Sequence, residues 1–257
     1  MNFPLLSKLL ASLTAILLVS CSTTTLDQDR LSLSASTVSA PKDYGILLDK
    51  YVTPQGVDYQ KWASASDDLS KLEEVTNYYA NRRPPEAEKE SLAWHLNAYN
   101  SWILQSILTS WPNEGPLDAS LLFFHKKKIV VSGTRMSLLH FENKVIRKNF
   151  QEPRIHFALN CASRSCPPLN EKPFEAKSLD STLDRLTKNF LNHNPNALRE
   201  AERQVQLSKI FDWYTKDFGG RKNLIPFINQ YRDQNQQLSL DKQISFLPYN
   251  WQLNTSS

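Results

Sequence analysis

One long stripe of apolar side chains constrains the fold of this 257-residue chain more than any other feature. Between residues 85 and 110 the stripe steps by four, three, four and four positions, through Leu92, Leu96, Tyr99, Ile103 and Ile107. This spacing places the side chains on one face of an α-helix, and that face has to be buried. The sequence therefore predicts a central helix that ends at Trp111-Pro112.

Shorter segments with helical spacing or with strand-like apolar runs precede and follow this helix in the sequence. Further helices are predicted at residues 66–79, 116–124, 138–150, 178–190, 208–218 and 223–232, and extended segments at 129–131, 134–136, 154–159, 203–207 and 244–247. The pair around Ser132-Gly133 is typical of a β-hairpin. Helices dominate and strands are short. We therefore expect an α+β fold, a predominantly helical single domain with a small antiparallel sheet or hairpin.

The N-terminus has the pattern of a bacterial lipoprotein signal. Lys8 precedes the apolar run Leu9–Val19, which is too short to span a bilayer stably, and Cys21 follows directly after Ser20. We expect a signal peptide at residues 1–20, cleaved before Cys21, and lipidation of Cys21. Ser22 follows the cysteine, and this favours an outer-membrane lipoprotein that faces the periplasm of a Gram-negative bacterium. An ordinary secretory signal or an uncleaved anchor is the alternative.

A Ser- and Thr-rich tether at residues 21–42 is expected to lead into one globular domain at residues 43–257. The chain has 30 basic and 26 acidic residues, a formal net charge of +4. That balance argues against a nucleic-acid partner. The expected partners are the membrane, through the anchor at Cys21, and an unknown envelope protein or a small-molecule or peptide ligand. No cofactor is expected.

The stretch with the most potentially reactive side chains is residues 154–169, with the sequence R-I-H-F-A-L-N-C-A-S-R-S-C-P-P-L. Apolar residues in the first half predict a buried strand. Cys161 and Cys166, the two cysteines outside the leader, follow it. In an oxidising periplasm such a pair favours a disulfide. The domain would then be a binding or structural module whose loop the Cys161–Cys166 disulfide shapes.

The alternative is a thiol-dependent hydrolase or acyl transferase that acts on envelope peptides or on other amide or thioester substrates. Cys161 would be the nucleophile, His156 its base and Glu142 the group that orients the histidine, and Asn97 or Asn100 would donate to an oxyanion. In a strand, His156 and Cys161 would point to opposite faces, so their contact requires a bend.

Each of these residues also has a structural interpretation. Asn97 and Asn100 lie in mid-helix and could bridge nearby backbone, His156 could be a buried core histidine, and Glu142 could pair with a basic neighbour such as Arg147. A metal site of Cys161, Cys166, His156 and Glu142 is a third hypothesis. The Cys-x4-Cys spacing and the oxidising compartment argue against it, and we expect no metal.

Several segments together resemble the bacterial family of unknown function DUF547. They are Trp94–Asn100, the hairpin with Ser137-Leu138 and Phe141-Glu142, Arg154–Leu169, and Leu207–Tyr214 with Asp217-Phe218. The resemblance implies a domain without an agreed activity. One position departs from the family's Ile-Glu-His pattern, because Asn143 stands where the histidine is expected and His140 is no obvious substitute. A mechanism that needs that histidine would be weakened here.

Overall fold

The computed structural model describes residues 32–112 and 121–256 of the chain. The signal peptide, Cys21, part of the tether and the first part of the helix predicted at 116–124 lie outside the described residues. Within the described part, no helix is both long and apolar enough to cross a bilayer.

Helices account for most of the described secondary structure. The α-helices are α1 Lys42–Tyr51, α2 Tyr59–Ala63, α3 Ser66–Ala80, α4 Glu88–Thr109, α5 Leu121–Lys126, α6 at residues 138–149, α7 Leu179–His193, α8 Lys209–Trp213 and α9 Leu224–Tyr231. Short 3-10 helices occur at Pro153–Phe157, Ala176–Ser178, Arg221–Asn223 and Gln234–Gln236. The predicted long helix is confirmed as α4, and the α+β, predominantly helical fold class is confirmed with it.

Among residues 32–112 and 121–256 the strands are short and form three small sheets. They are β1 Val52–Thr53, β2 Gly56–Val57, β3 Lys128–Val131, β4 Thr134–Ser137, β5 Leu198–Glu200, β6 Gln204–Leu207 and β7 Gln243–Phe246. β3 and β4 form the predicted antiparallel hairpin around Ser132-Gly133. β6 pairs antiparallel with β5 and parallel with β7, so the third sheet is mixed. The parallel pair was not expected from the sequence.

α4 lies at the centre of the core. All five residues of its apolar stripe are buried, and so are most of the other residues along its length. Helix α3 packs on one side of it, and Tyr79 of α3 meets Trp94 edge to face at a centroid distance of 5.0 Å. Burial of aromatic side chains of this size is a major source of stabilisation for a domain. The stripe is therefore buried as the sequence predicts.

The prediction of a strand at residues 154–159 is wrong. Residues Pro153–Phe157 form a 3-10 helix, and the Glu152 carboxylate caps it by accepting a hydrogen bond from the Arg154 N–H. Proline at the first turn favours this helix, because its φ is already helical and it has no N–H to satisfy. A short apolar run fits either a strand or a buried helical turn, so periodicity alone could not separate them.

Helix α6 contains a π-helical segment, Phe141–Ile146, between two short α-helical pieces. Its start is the predicted one, because the Ser137 side chain accepts a hydrogen bond from the His140 N–H. A π segment widens the helix locally and is frequent at functional sites. Here it carries Glu142 and Asn143.

The C-terminal tail, residues 247–256, crosses the loop that holds both cysteines (residues 158–167, called the thiol loop below). The N–H groups of Arg164 and Ser165 donate to the carbonyls of Gln252 and Asn250, and the Asn254 N–H donates to Ala162. These bonds attach the last segment of the chain to the thiol loop.

Candidate functional site

A cavity of about 400 Å³ opens beside the thiol loop. Its walls come from α4, α6, the thiol loop, α8 with the turn after it, and the C-terminal tail. The side chains that line it are Tyr99, Phe124, Leu139, Glu142, Asn143, Arg147, His156, Leu159, Cys161, Cys166, Pro167, Ile210, Trp213, Tyr214, Tyr249 and Trp251. Its volume and its largely apolar lining with a few polar groups are typical of small-molecule sites.

Cys161 lies half-buried in this cavity, and its sulfur is surrounded by hydroxyl groups. The Sγ atom is 3.1 Å from Ser163 Oγ and 3.1 Å from the Tyr249 hydroxyl. Burial raises the pKa of the thiol, but hydrogen bonds from Cys166, Ser163 and Tyr249 outweigh burial, so the pKa lies below its ordinary value. A lowered pKa increases the fraction of thiolate, which is the nucleophilic form.

Cys166 has the opposite environment. It is buried, its sulfur accepts the Cys161 N–H at 3.0 Å, and burial next to Cys161 raises its pKa well above the ordinary value. The structure has both cysteines as free thiols. The predicted Cys161–Cys166 disulfide is therefore absent from this structure, and its formation in the periplasm stays a prediction.

The thiol loop is held in a strained conformation. Ala162, directly after Cys161, has a φ of +59°, a left-handed value that costs a residue with a Cβ about 1 kcal/mol or more. Asn160 holds this turn, because its side chain accepts the Ala162 N–H and donates to the Pro167 carbonyl. Strain of this kind is concentrated at active sites and ligand sites.

Asn100 holds the segment that leads into the thiol loop. Its side chain donates to the Ala158 carbonyl and accepts the Asn160 N–H, both at 2.9 Å. It does not line the cavity. Asn100 therefore acts on the site through the backbone before Cys161.

His156 belongs to a buried hydrogen-bonded chain. Its Nε2 lies 2.8 Å from Asp217 Oδ2, and Arg147 donates to both Asp217 oxygens, at 2.7 and 2.9 Å. Burial raises the pKa of Asp217, but bonds from His156 and Arg147 more than offset this, so its pKa lies well below the usual range. The carboxylate is therefore ionised at neutral pH and can only accept hydrogen bonds.

The charge state of Asp217 defines the tautomer of His156. Burial lowers the pKa of His156, although Asp217 opposes this, so the imidazole is neutral at neutral pH. Because the carboxylate accepts, Nε2 must carry the proton, and Nδ1 keeps its lone pair. The ring is also stacked on Tyr214, at a centroid distance of 4.0 Å and an interplanar angle of 18°. His156 is thus a fixed, neutral base.

Cys161 and His156 line the same cavity, but no hydrogen bond joins them among the described residues. The thiol bonds to Ser163 and Tyr249, whereas the imidazole bonds to Asp217. The bend that a common site requires comes from the 3-10 helix at Pro153–Phe157, which replaces the expected strand. Catalytic contacts often form only when a substrate is bound.

Glu142 is buried in the cavity wall with two tyrosine partners. The Tyr99 hydroxyl donates to Oε2 at 2.9 Å and the Tyr214 hydroxyl donates to Oε1 at 2.6 Å. Tyr214 is also the ring on which His156 stacks. Glu142 therefore positions the histidine through Tyr214 and not by direct contact.

Asn143, at the position where the resemblance implies a histidine, lines the cavity next to Glu142. Its amide donates to the Leu139 carbonyl, and its oxygen accepts from Arg147. His140 is exposed and does not line the cavity. In this chain Asn143 thus supports the Arg147–Asp217 pair.

Asn97 lies away from the cavity wall. Its amide donates to the carbonyls of Ser39 and Phe174, and its oxygen accepts the Phe174 N–H at 2.8 Å. These bonds fit the structural interpretation, in which a buried amide bridges backbone segments. They leave no free donor on Asn97 for an oxyanion.

Sequence reasoning missed several residues of the site. The segments that resemble the family include Trp213, Tyr214 and Asp217, but sequence reasoning assigned a site role to none of them, nor to Tyr249 and Trp251. Four of these lie at two aromatic clusters, Trp213-Tyr214 and Tyr249–Trp251. Aromatic residues next to an acidic residue, as in 213–217, were the available signal. In the described part of the chain no three His, Cys, Asp or Glu side chains are grouped as a metal site.

Comparison with known proteins supports the resemblance and adds no activity to it. No curated protein and no solved structure matches the chain. Residues 86–191 match the family model described as "Protein of unknown function, DUF547". This stretch begins just before α4 and ends within α7, so it includes Glu142, His156 and both thiols, whereas Asp217 and Tyr249 lie beyond it. Over residues 86–191 the chain is thus similar to the DUF547 family.

Proposed function

We propose that the cavity is the active site of a thiol-dependent acyl transferase or hydrolase, with Cys161 as nucleophile. One observation carries the proposal: a cysteine of lowered pKa shares a cavity with a neutral, carboxylate-bound histidine. A nucleophile, a base and a group that orients the base are the three parts that such catalysis requires. Here Asp217 takes the orienting role that the sequence assigned to Glu142.

The reaction has two steps. In the first, the thiol proton passes to His156, the Cys161 sulfur attacks the acyl carbonyl, and the bond to the leaving group breaks. The leaving group departs with that proton, and the acyl group remains on sulfur as a thioester. In the second, His156 takes a proton from water or from an acceptor, whose oxygen or nitrogen attacks the thioester. The carbon–sulfur bond breaks, and the released sulfur takes that proton back from His156, which restores the thiol and the neutral imidazole. The hydroxyls of Tyr249 and Ser163, each 3.1 Å from the sulfur, are the candidate donors to the developing oxyanion.

A second candidate is a binding module with a Cys161–Cys166 disulfide. The contact between the Cys161 N–H and the Cys166 sulfur, at 3.0 Å, favours it because the two residues already touch. The two candidates require different redox states of the same pair. Alkylation of the mature periplasmic protein under native conditions, followed by mass measurement, separates them. Two unreactive, oxidised cysteines would contradict the enzyme.

The direct test uses small thioesters and esters as substrates for the purified domain. We expect Cys161→Ala to lose cleavage, and a substrate-derived mass to appear on Cys161 in the native protein. Native protein and Cys161→Ala with equal cleavage rates would contradict the proposal.

We propose further that lipidation of Cys21 holds the domain at the periplasmic face of the outer membrane. The support is the sequence pattern around Cys21. Cys21→Ser should move the protein from the membrane fraction to the soluble fraction. Unchanged fractionation of that variant would contradict the anchor.

A further inference from the structure

Three aromatic side chains form a continuous wall at one side of the cavity. Trp213 stacks on Trp251 at a centroid distance of 5.5 Å and an angle of 27°, and Tyr249 contacts both rings, at 4.8 and 4.5 Å. Trp213 is 44% exposed. A large ring so exposed and beside a cavity is typical of a surface that a ligand covers. The same Tyr249 reaches the Cys161 sulfur, so the wall begins at the nucleophile.

The charged groups of the cavity are already bound within the protein. Each oxygen of Glu142 accepts from a tyrosine hydroxyl. Arg147 is bound to both oxygens of Asp217 and to Asn143. A charged substrate group would compete with these partners, and taking it out of water into a buried site is costly. Recognition in this cavity therefore rests on apolar contact.

The backbone of the thiol loop is also bound. The N–H groups of Cys161, Ala162 and Arg164 donate to the Cys166 sulfur, the Asn160 side chain and the Gln252 carbonyl, respectively. An extended peptide binds by adding its own hydrogen bonds to such groups. Since these donors are occupied, they cannot pair with the backbone of a peptide. An occupant that needs no hydrogen-bonded backbone fits better.

We infer that the acyl group delivered to Cys161 is an unbranched hydrocarbon chain, and that Trp213, Tyr249 and Trp251 bind that chain. The inference rests on the proposed function and restricts its substrates to fatty-acyl thioesters or esters. The carbonyl lies at the sulfur, and the chain runs along the aromatic wall towards Phe124, whose ring is 6.4 Å from that of Trp251. The cavity is thus an acyl-chain site closed at one end by a thiol.

The test is a series of small-thiol thioesters from acetyl to decanoyl. We expect kcat/KM to rise about four-fold for each added methylene until the chain fills the cavity. Trp213→Ala should reduce the preference for decanoyl over acetyl by about ten-fold, and Trp213→Phe should restore most of it. Ile46→Ala, which removes a similarly exposed apolar side chain outside the cavity, should change nothing.

A binding measurement separates this inference from the proposed function. Fatty amides from acetamide to decanamide are titrated into Cys161→Ala, with tryptophan fluorescence as the readout. If Cys161→Ala cleaves thioesters like the native protein, the proposed function fails, yet tighter binding of longer amides would still support an acyl-chain site. Equal binding of short and long amides would overturn the inference. A stronger preference for an N-acetylphenylalanine thioester than for the decanoyl thioester would assign the wall to a peptide side chain and overturn it as well.

Discussion

Helix α4 contributes polar groups to two buried regions. In one region these groups bond to backbone atoms, and in the other they bond to side chains that line a cavity. Asn97 is buried, binds only backbone atoms of Ser39 and Phe174, and does not line the cavity. Tyr99, two residues along, donates to Glu142 in the wall of an open cavity. In the first region the amide is saturated by hydrogen bonds to backbone, whereas the second joins side chains to a space that a ligand can enter.

This difference separates buried polar residues that stabilise the fold from those that can act on a ligand. A buried amide with all its bonds to backbone connects segments of the chain, and its loss reduces stability. A thiol, an imidazole and carboxylates around a cavity can act on a ligand, and their loss reduces activity. The sequence alone does not distinguish the two sets, because each consists of polar residues in apolar surroundings. The predictions below test the distinction from its largest expected effect to its smallest.

The two thiols give the strongest contrast within the cavity. Cys161→Ala should lower thioester cleavage by about 10³-fold or more, because the nucleophile is lost. Cys166→Ala should lower it by about ten-fold, because the nucleophile stays but loses the partner of its N–H and a contact that lowers its pKa. Steady-state rates of the two variants, with folding checked by circular dichroism, measure both. Equal losses would remove the distinction between the thiols.

Asp217→Asn comes next. An amide cannot hold the Nε2–H tautomer as an ionised carboxylate does, so the rate should fall by about 10²-fold or more. Asp184→Asn is the matched control, since that carboxylate binds Arg154 outside the cavity. An Asp217→Asn enzyme with native kcat and an unchanged pH profile would show that His156 is not the base.

Asn97→Ala tests the saturated region. Removal of its side chain leaves the buried Phe174 N–H without its partner, whereas the carbonyls of Ser39 and Phe174 keep the Tyr79 and Ser39 hydroxyls as donors. The free energy of unfolding should therefore fall by about 1–3 kcal/mol. Thiol alkylation at neutral pH should stay at the native rate. Asn100→Ala should destabilise to a similar extent and also change alkylation, because Asn100 holds the Asn160 backbone before Cys161. Urea denaturation and alkylation rates separate the two asparagines, and an altered thiol rate in Asn97→Ala would contradict the comparison.

Local features of the fold could be predicted from the sequence. The α4 stripe, the β3–β4 hairpin and the Ser137 cap each depend on residues close together in the chain, so periodicity and capping rules locate them. The 3-10 helix at Pro153–Phe157 could not be separated from a strand by its apolar run. Pro153 was the signal that favoured the helix.

The site is harder to predict because its parts are far apart in sequence. Cys161, His156 and Glu142 were predicted as candidates, and the structure places all three around one cavity. Asp217 and Tyr249 reach them from 61 and 88 positions away along the chain. No local pattern encodes such a contact, and only the fold brings the C-terminal tail over the thiol loop.

Tyr249→Phe should have the smallest effect and the most specific one. The variant keeps the aromatic ring and removes the hydroxyl that helps to lower the pKa of Cys161. Because that hydroxyl stabilises the charged thiolate, its loss raises the thiol pKa, and the pH profile of alkylation moves towards higher pH. Below that pKa the rate at a given pH should fall by about five-fold, the usual worth of one hydrogen bond. Tyr231→Phe, outside the cavity, should leave the profile unchanged. A native profile in Tyr249→Phe would mean that the tail closes the cavity without activating its thiol.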